Sequence, residues 1–290
     1  MLIAHLTDLH IMPEGARVLD RVDPSERLRA AIDAVNALGR QPDLVVITGD
    51  VTEDGTQEEY ARALDLLTGL KAPYVAINGN HDVRQGFFEA FAPLGFLGQA
   101  RDFVQFTVDR FPVRIIGLDS TVHGAHHAAF CPDRVGWLGA RLDEQPEKPT
   151  LLLLHHPPFR TGIDWMDIPD RDWHAGFGDV LKGRTNVLAV LSGHMHRAIM
   201  GTAGGVPVHV AASVSHQLAL DLDPAALPKL AFEPPAYMLH VFEDGALASH
   251  HVLVERYEEV AVFTDDPALW ARTKDEVVAR GTLPKQNAAA

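Results

Sequence analysis

The stretch Y-V-A-I-N-G-N-H-D, residues 74–82, sets an apolar run directly before a polar cluster. Tyr74–Ile77 has the length and composition of a buried strand. The residues that follow it are Asn78, Gly79, Asn80, His81 and Asp82. Asn and Gly are common turn residues, so this stretch alone fits a simple turn as well as a binding site. Similar arrangements elsewhere in the chain decide between the two.

Short apolar runs and amphipathic segments alternate around this stretch. We expect strands at Leu2–Leu6, Leu44–Ile47 and Tyr74–Ile77, with helices over Pro24–Leu38 and Gln57–Leu67 between them. The first helix has a start signal, since Asp23 suits the N-cap and Pro24 the first helical position, and Gly39 suits its end. This β-α-β-α-β order predicts a mostly parallel, layered α/β core.

The later part of the chain has a less regular pattern. Its predicted elements are a strand pair at Phe103–Val108 and Val113–Leu118, a helix at Arg134–Leu142, buried strands at Thr150–Leu154 and Val187–Leu191, a long functional loop over 157–176, three or four strands within 198–253 and a helix over 266–279. We assign residues 1–260 to a catalytic domain and 261–290 to a C-terminal helix and a tail that frays at 287–290. Residues 220–236 are expected to form an excursion that serves as a lid or an oligomerisation segment.

Polar residues follow five of the predicted strands. The clusters are Asp8-Leu9-His10, Thr48-Gly49-Asp50, Gly79-Asn80-His81-Asp82, His155-His156-Pro157-Pro158 and Ser192-Gly193-His194-Met195-His196. In a parallel α/β sheet the carboxyl ends of the strands meet at one edge, where sites form. Each cluster alone is weak evidence, but together they predict that two Asp, one Asn and several His side chains converge.

Such a convergence predicts a metal centre, because burying these groups together is costly unless cations compensate them. Carboxylate, amide and imidazole donors without thiolate favour Mn, Fe, Zn or Co. The donors exceed what one tetrahedral ion uses, so we expect two divalent ions. Their charge of +4 against −2 from two Asp leaves the centre near +2, which suits an anionic substrate.

The composition restricts the partners. The chain of 290 residues has a formal net charge of −14, which disfavours nucleic acid polymers and anionic membranes. No apolar run approaches the roughly 20 residues that span a bilayer, and we expect no signal peptide. The single cysteine, Cys131, cannot form an internal disulfide. These features lead us to expect a cytoplasmic protein without membrane contact.

The five motifs D-x-H, G-D, G-N-H-D, H-H-P-P and G-H-M-H, in this order from Asp8 to His196, resemble those of the calcineurin-like metallophosphoesterase superfamily. More narrowly, the chain resembles its class III cyclic-nucleotide phosphodiesterase and glycerophosphodiesterase group. The stretch S-T-V-H-G-A-H-H at 120–127 adds to that likeness. The resemblance implies a four-layer α-β-β-α sandwich, and a homo-oligomer with its interface in 220–290.

The resemblance also implies a ligand set. The first ion would be held by Asp8, His10 and His196, the second by Asn80, His155 and His194, with Asp50 bridging the two. His155 is preferred to His156 because the family's ligand lies two positions before the first proline.

Roles around the substrate follow from the same resemblance. His81 would face the substrate and stabilise the phosphorane charge or protonate the leaving alkoxide. Asp82 would either orient His81 or cap the next helix, and both readings stay open here. We assign catalysis to His81 and Asp50. The predicted substrate-binding residues are Asn80, His81, His156 and His216.

The implied reaction is hydrolysis of a small phosphodiester by in-line attack of a metal-bound hydroxide. Protein phosphatases of the superfamily carry arginines where this chain has Asp54 and Asn78, which favours a singly charged diester over a monoester. The diester is a cyclic nucleotide or a glycerophosphodiester, with Phe159, Trp165 and Trp173 as candidates to shape the pocket. A phosphomonoesterase, a nuclease and a non-catalytic scaffold are the alternatives.

Overall fold

The computed structural model describes residues 1–98, 102–167 and 173–281. The chain divides into two compact units, Met1–Glu255 and Arg256–Ala290. The division into domains 1–260 and 261–290 stays a prediction.

The first unit begins with alternating strands and helices and continues with longer runs of strands. The helices are α1 (Pro24–Asn36), α2 (Gln57–Leu67), α3 (Arg84–Phe91), α4 (Pro132–Glu144), α5 (Asp164–Asp167) and α6 (Ala175–Leu181). The strands are β1 (Leu2–Leu6), β2 (Leu44–Thr48), β3 (Tyr74–Ile77), β4 (Phe106–Val108), β5 (Arg114–Leu118), β6 (Thr121–Val122), β7 (Ala125–Ala128), β8 (Thr150–Leu154), β9 (Val187–Ser192), β10 (Ile199–Ala203), β11 (Val206–Val210), β12 (Gln217–Leu218), β13 (Leu230–Ala231), β14 (Ala236–Glu243) and β15 (Ala246–Leu253).

Two larger sheets form the centre of this unit. The first has the strand order β15-β14-β1-β2-β3, in which β1, β2 and β3 run parallel. The second has the order β10-β11-β9-β8-β5-β4, with β5, β8, β9 and β11 parallel. The edge pairs β14–β15, β10–β11 and β4–β5 are antiparallel. The two small pairs β6–β7 and β12–β13 lie outside these sheets.

Three apolar clusters show how the layers stack. Ile3, Val46 and Leu153 belong to a buried cluster that joins the facing sides of the two sheets. The other side of the first sheet packs on α1, α2 and α3, and the other side of the second sheet packs on α4 and α6. Alternate residues of a strand point to opposite faces, so strands buried on both faces read as continuous apolar runs. The predicted four-layer α-β-β-α sandwich is confirmed.

The first helix begins where the sequence predicts and ends earlier. Asp23 accepts hydrogen bonds from the backbone N–H groups of Ser25 and Glu26, and Pro24 is the first helical residue. The helix ends at Asn36, so the prediction that it reaches Leu38 and closes at Gly39 was wrong. The Asn36 amide donates to the Gly69 carbonyl at 2.7 Å, a contact with the end of α2 that no local signal reveals.

Several other boundaries differ from the predictions. The strand expected from Phe103 begins at Phe106, because the Val104 N–H turns to donate to the Asp119 carboxylate. Helix α3 was missed, since it has no side-chain cap and has a glycine in its first turn. The short strands β6 and β7 were also missed.

The two segments expected to shape the site have some regular structure. The 157–176 loop contains α5 and the first residues of α6, while residues 168–172 of it lie outside the described residues. The 220–236 segment contains β13, which pairs with β12. Among the described residues, six strands rather than three or four fall within 198–253, and two of them are only two residues long.

The second unit contains α7 (Pro267–Arg280), which is capped by Asp266 and followed by Gly281 at φ +66°. The predicted frayed end at 287–290 lies outside the described residues. In the described ranges, no helix combines the length and the apolar character that crossing a membrane requires.

Candidate metal centre

Strands β1 and β2 stay paired beyond the residues that form the sheet. The Asp8 N–H donates to the Gly49 carbonyl at 3.1 Å, and the His10 N–H donates to the Asp50 carbonyl at 2.9 Å. A further bond joins the Ile11 N–H to the Val51 carbonyl. The loop that carries Asp8 and His10 is therefore fixed against the loop that carries Asp50.

Backbone strain concentrates in these loops and in the G-H-M-H loop. The residues with positive φ include five of the predicted metal ligands: Asp8 (52°), His10 (48°), Asp50 (47°), His194 (70°) and His196 (49°). The left-handed region costs an L-residue free energy, and residues held there cluster at functional sites. The strain thus agrees with a functional role for these loops.

The first group of donors is formed by Asp8, His10, Asp50 and His196, whose ligand atoms lie within 4.8 Å of one another. His10 Nε2 is 3.0 Å from His196 Nε2. His196 Nε2 is 3.5 Å from a carboxylate oxygen of Asp8, and His10 Nε2 is 3.7 Å from one of Asp50. All four side chains are buried.

The second group contains Asn80, His155 and His194. The amide oxygen of Asn80 is 3.1 Å from His155 Nε2, and the ring of His194 is centred 5.2 Å from that of His155. The His194 N–H also donates to both carboxylate oxygens of Asp8. Asp50 lies between the two groups, with its Oδ2 3.3 Å from His155 Nε2. The structure therefore brings all seven predicted ligands together.

Hydrogen bonds at Nδ1 orient three of the imidazole rings. His155 Nδ1 is 2.7 Å from the Thr48 carbonyl, His196 Nδ1 is 2.7 Å from the His216 carbonyl, and His10 Nδ1 is 2.7 Å from the Glu53 carboxylate. These oxygens only accept, so each Nδ1 carries the proton and each neutral ring has its lone pair on Nε2. Metal-binding histidines are typically oriented in this way.

This orientation gives a test of whether a cation fits. In their neutral forms, His10 and His196 point two Nε2 lone pairs at each other across 3.0 Å. Two lone pairs at that distance repel, whereas a cation bound to both makes the arrangement favourable. The donor set also lacks thiolate and combines oxygen with imidazole, which suits divalent transition ions. The residues present therefore fit a metal centre.

The electrostatics favour the metal-binding protonation states of Asp50, His194 and His196, whereas the pKa values of His10 and His155 are raised. Burial lowers the pKa of His194 and His196 well below the ordinary value, and neighbouring histidines lower it further. Burial alone would raise the pKa of Asp50, but the charge of His155 outweighs burial and holds it well below its ordinary value. Burial likewise would lower the pKa of His155, but Asp50 raises it to about 9. Metal ligation requires neutral rings and ionised carboxylates, so His155, whose pKa is raised, would release a proton when a metal ion binds.

His81 lies beside the donors, with its ring a quarter exposed. Its Nδ1 donates to the Glu53 carbonyl at 2.8 Å, and its backbone N–H donates to the Asp50 carboxylate at 2.9 Å. Among the described residues, no hydrogen-bond partner is found for the other ring nitrogen, Nε2. His81 lines a cavity of about 410 Å³ together with Asp50, Asn80 and His216.

Both sequence-based alternatives for Asp82 were wrong. Its carboxylate neither contacts the His81 ring nor caps α3, which begins after Val83 without a side-chain cap. It accepts instead from the N–H groups of Gly79, Val51 and Thr52, and from the hydroxyls of Thr52 and Tyr60. Asp82 thus ties the G-N-H-D loop to the G-D loop.

His156 and His216 contact the site in different ways. Both ring nitrogens of His156 have protein partners, the Ser120 hydroxyl at 2.8 Å and the His126 carbonyl at 3.0 Å. A direct hydrogen bond from His156 to a substrate would have to break one of them. Distance alone would also group His156 with His155 and His194 as ligands, but the same two bonds argue against it. His216 lines the 410 Å³ cavity, as its predicted role requires.

The aromatic candidates are separated. Trp165 lines the 410 Å³ cavity beside Met166 and Leu218. Phe159 and Trp173 line a smaller cavity of about 20 Å³ next to His156 and His194. Trp165 is therefore the aromatic residue of the three that lines the larger cavity.

Two further residues of the site were missed. Glu53 accepts from His10, and His126 Nδ1 is 3.1 Å from the Asn80 amide nitrogen, so that the amide oxygen points to His155. Burial would raise the pKa of Glu53, but the hydrogen bond and charge of His10 outweigh burial and lower it. The signal for His126 was the histidine-rich stretch 120–127, whereas Glu53 had no motif of its own.

Residues 1–198 match the family described as calcineurin-like phosphoesterase. The chain belongs to this family. The matched region is about two-thirds of the 290 residues and contains every predicted ligand. Members of the family use divalent metal ions, and this phosphoesterase has the buried donors to hold them.

Relatives with assigned names agree with the family. A protein of Arcobacter nitrofigilis named "Probable glycerophosphodiester phosphodiesterase" is 34% identical over 260 residues, which cover 89% of this chain and 95% of the relative. A "Probable cyclic nucleotide phosphodiesterase" of Rhodopseudomonas palustris is 36% identical over 243 residues, covering 80% and 85%. A crystal structure of a dimetal phosphatase from Danio rerio shares the fold, with a TM-score of 0.62 at 15% identity over 88% of this chain and 96% of that chain.

Replacing Asp82 with Asn should weaken the contact between the G-N-H-D loop and the G-D loop and so weaken metal binding, although Asp82 is not itself a proposed ligand. One amide NH₂ would then face backbone N–H donors, and burying mismatched donors costs roughly 1–3 kcal/mol. We expect that loss in the free energy of unfolding, together with weaker Mn binding by calorimetry. Asp54→Asn, at an exposed carboxylate in the loop after β2, is the matched control. It should change neither the free energy of unfolding nor the affinity for Mn. Wild-type stability and affinity in the Asp82 variant would contradict this role.

Proposed function

We propose that this phosphoesterase hydrolyses small phosphodiesters with two bound divalent ions. The main support is the position of Asp50, whose Oδ2 is 3.3 Å from His155 Nε2 and 3.7 Å from His10 Nε2. A carboxylate between two donor groups is placed to be shared by two ions. The proposed ligands are Asp8, His10 and His196 for one ion, Asn80, His155 and His194 for the other, and Asp50 for both. Mn, Fe, Zn and Co all suit this donor set.

The protein's own groups would surround the phosphate. Two ions in such a centre acidify water and neutralise charge on phosphoryl oxygens. Within the described part of the chain only Nδ1 of the His81 ring has a hydrogen-bond partner, so Nε2 of the protonated ring can donate to the leaving oxygen. His216 adds a second ring to the cavity wall, and Trp165 supplies an apolar surface for the organic part of the substrate.

A diester fits better than a monoester. Asn78 is buried and donates to the Thr121 hydroxyl at 3.0 Å, so it brings no charge to the site. Asp54 is exposed and does not line the cavity. The relatives are named as phosphodiesterases of glycerophosphodiesters and cyclic nucleotides, and we extend a small phosphodiester substrate to this chain. A cytoplasmic location, a homo-oligomer and the exclusion of nucleic acid polymers stay predictions.

Relative rates on three substrates test the proposal. We would measure kcat/KM of the Mn-reconstituted protein on cyclic AMP, glycerophosphoethanolamine and para-nitrophenyl phosphate. One of the diesters should be hydrolysed fastest, and chelation by EDTA should abolish the rate. A higher kcat/KM on the monoester would overturn the diester assignment, and an inactive, fully metallated protein would favour a scaffold.

The metal content of two variants tests the ligand assignment. Asp50→Ala should lose both ions and all activity, because its carboxylate serves both donor groups. Asn80→Ala should mainly lose the second ion, giving close to one Mn per chain by elemental analysis. Asp54→Ala is the control and should bind as the wild type. An Asp50→Ala protein with two ions and full activity would show that Asp50 does not bridge.

His81→Ala separates catalysis from ligation. The variant should retain its metal and lose a factor of about 10²–10⁴ in kcat, the range of a general acid. His250→Ala, at an exposed histidine of β15, is the control for loss of an imidazole. If the His81 variant instead loses metal in the same elemental analysis, His81 is a ligand and not an acid.

A further inference from the structure

The backbone of Glu53 is held by hydrogen bonds at both its N–H and its carbonyl group. Its N–H donates to the Ile11 carbonyl at 3.1 Å, and its carbonyl accepts from His81 Nδ1 at 2.8 Å. These bonds attach Glu53 to the loop after β1 and to the G-N-H-D loop. The side chain therefore starts from a defined point beside the metal centre.

The Glu53 carboxylate faces the substrate cavity. One oxygen accepts from His10 Nδ1 at 2.7 Å, and the other is 3.9 Å from His81 Nδ1. The side chain is 29% exposed and lines the 410 Å³ cavity. A negative charge is thus held between a proposed metal ligand and the histidine that faces the substrate.

This charge is not needed to orient His10. The rings of His155 and His196 are oriented in the same way by neutral backbone carbonyls, those of Thr48 and His216. Only His10 among these three has a carboxylate as its partner. The charge of Glu53 is therefore additional to the orienting hydrogen bond.

The repulsion between this additional charge and a substrate depends on the charge of the substrate. With Glu53 included, three carboxylates stand against two proposed divalent ions, so the centre is near +1 rather than +2. A phosphodiester carries one negative charge and a phosphomonoester carries two near neutral pH. Repulsion from a fixed carboxylate grows with the charge of the anion, so it disfavours the monoester more.

We propose that Glu53 is a specificity-determining residue that makes the site prefer singly charged phosphodiesters to doubly charged phosphomonoesters. This rests on the proposed function, since it concerns the substrate class of the same site. It adds a repulsive element to the selectivity, beside the lack of an arginine at Asn78.

Glu53→Gln removes the charge and keeps both the shape of the side chain and an oxygen that accepts from His10. We would compare kcat/KM of the Mn-loaded protein on bis(para-nitrophenyl) phosphate and para-nitrophenyl phosphate, which share one leaving group. The ratio of kcat/KM on the monoester to kcat/KM on the diester should rise about tenfold. This is the order of magnitude that Coulomb's law gives for one unit of charge close to the substrate in a partly hydrated site. Glu53→Asp keeps the charge and should keep the wild-type ratio.

Asp54→Asn is the matched control, because it removes the adjacent carboxylate that is exposed and outside the cavity lining. Its ratio should stay within about twofold of wild type. A direct binding measurement accompanies the rates: by calorimetry, the Mn-loaded Gln variant should bind inorganic phosphate at least about tenfold more tightly at unchanged Mn content.

Two results would overturn the inference. In one, the Gln variant loses activity on both esters together at an unchanged ratio, which would make Glu53 a support for His10 only. In the other, the Gln variant binds phosphate no more tightly than wild type. An inactive wild-type protein would instead refute the proposed function, while the phosphate affinities would still report the effect of the charge.

Discussion

The site depends on the pairing of β1 with β2 beyond the end of the sheet. Three hydrogen bonds continue that pairing through Asp8, His10 and Ile11, with both loops passing through left-handed residues. Each such residue lowers the stability of the fold by on the order of 1–3 kcal/mol, so the surrounding contacts must offset that loss. The pairing holds Asp8, His10 and Asp50 where the ends of the two sheets meet. The loops after β8 and β9 supply the remaining histidines there.

Close contact between the loops explains two of the motif glycines. A Cβ on Gly79 would overlap the Asp50 carboxylate, and one on Gly193 would overlap the Thr7 hydroxyl. Gly79 follows β3 of the first sheet, whereas Gly193 follows β9 of the second sheet and still meets a residue of β1's loop. Four of the five loops that carry the ligands, those after β1, β2, β3 and β9, are therefore packed closely against one another, which leaves their donors little freedom to move.

The sequence is informative where chemistry follows strand order and uninformative where it depends on contacts between loops. Apolar runs followed by polar clusters predicted a layered α/β core and the convergence of two Asp, one Asn and several His side chains. The two-sheet sandwich and the choice of seven ligands came from the family resemblance. Asp82 adjoins His81 in sequence, yet its side chain turns to Val51 and Thr52 in another loop. Glu53 was missed for the same reason, because it is defined by its partner His10 and not by a motif, and the histidine-rich stretch 120–127 did not reveal that His126 contacts Asn80.

The metal centre and the fold have separate sources of stability. The three apolar clusters hold the four layers together through residues that are not donors. Small zinc domains, in contrast, fold only when the metal binds. Here the Nε2 lone pairs that face each other when His10 and His196 are both neutral, and the buried carboxylates of Asp8 and Asp50, are a local cost within a large core. Metal binding removes that cost and adds stability by mass action, so the protein can form its site before it is loaded.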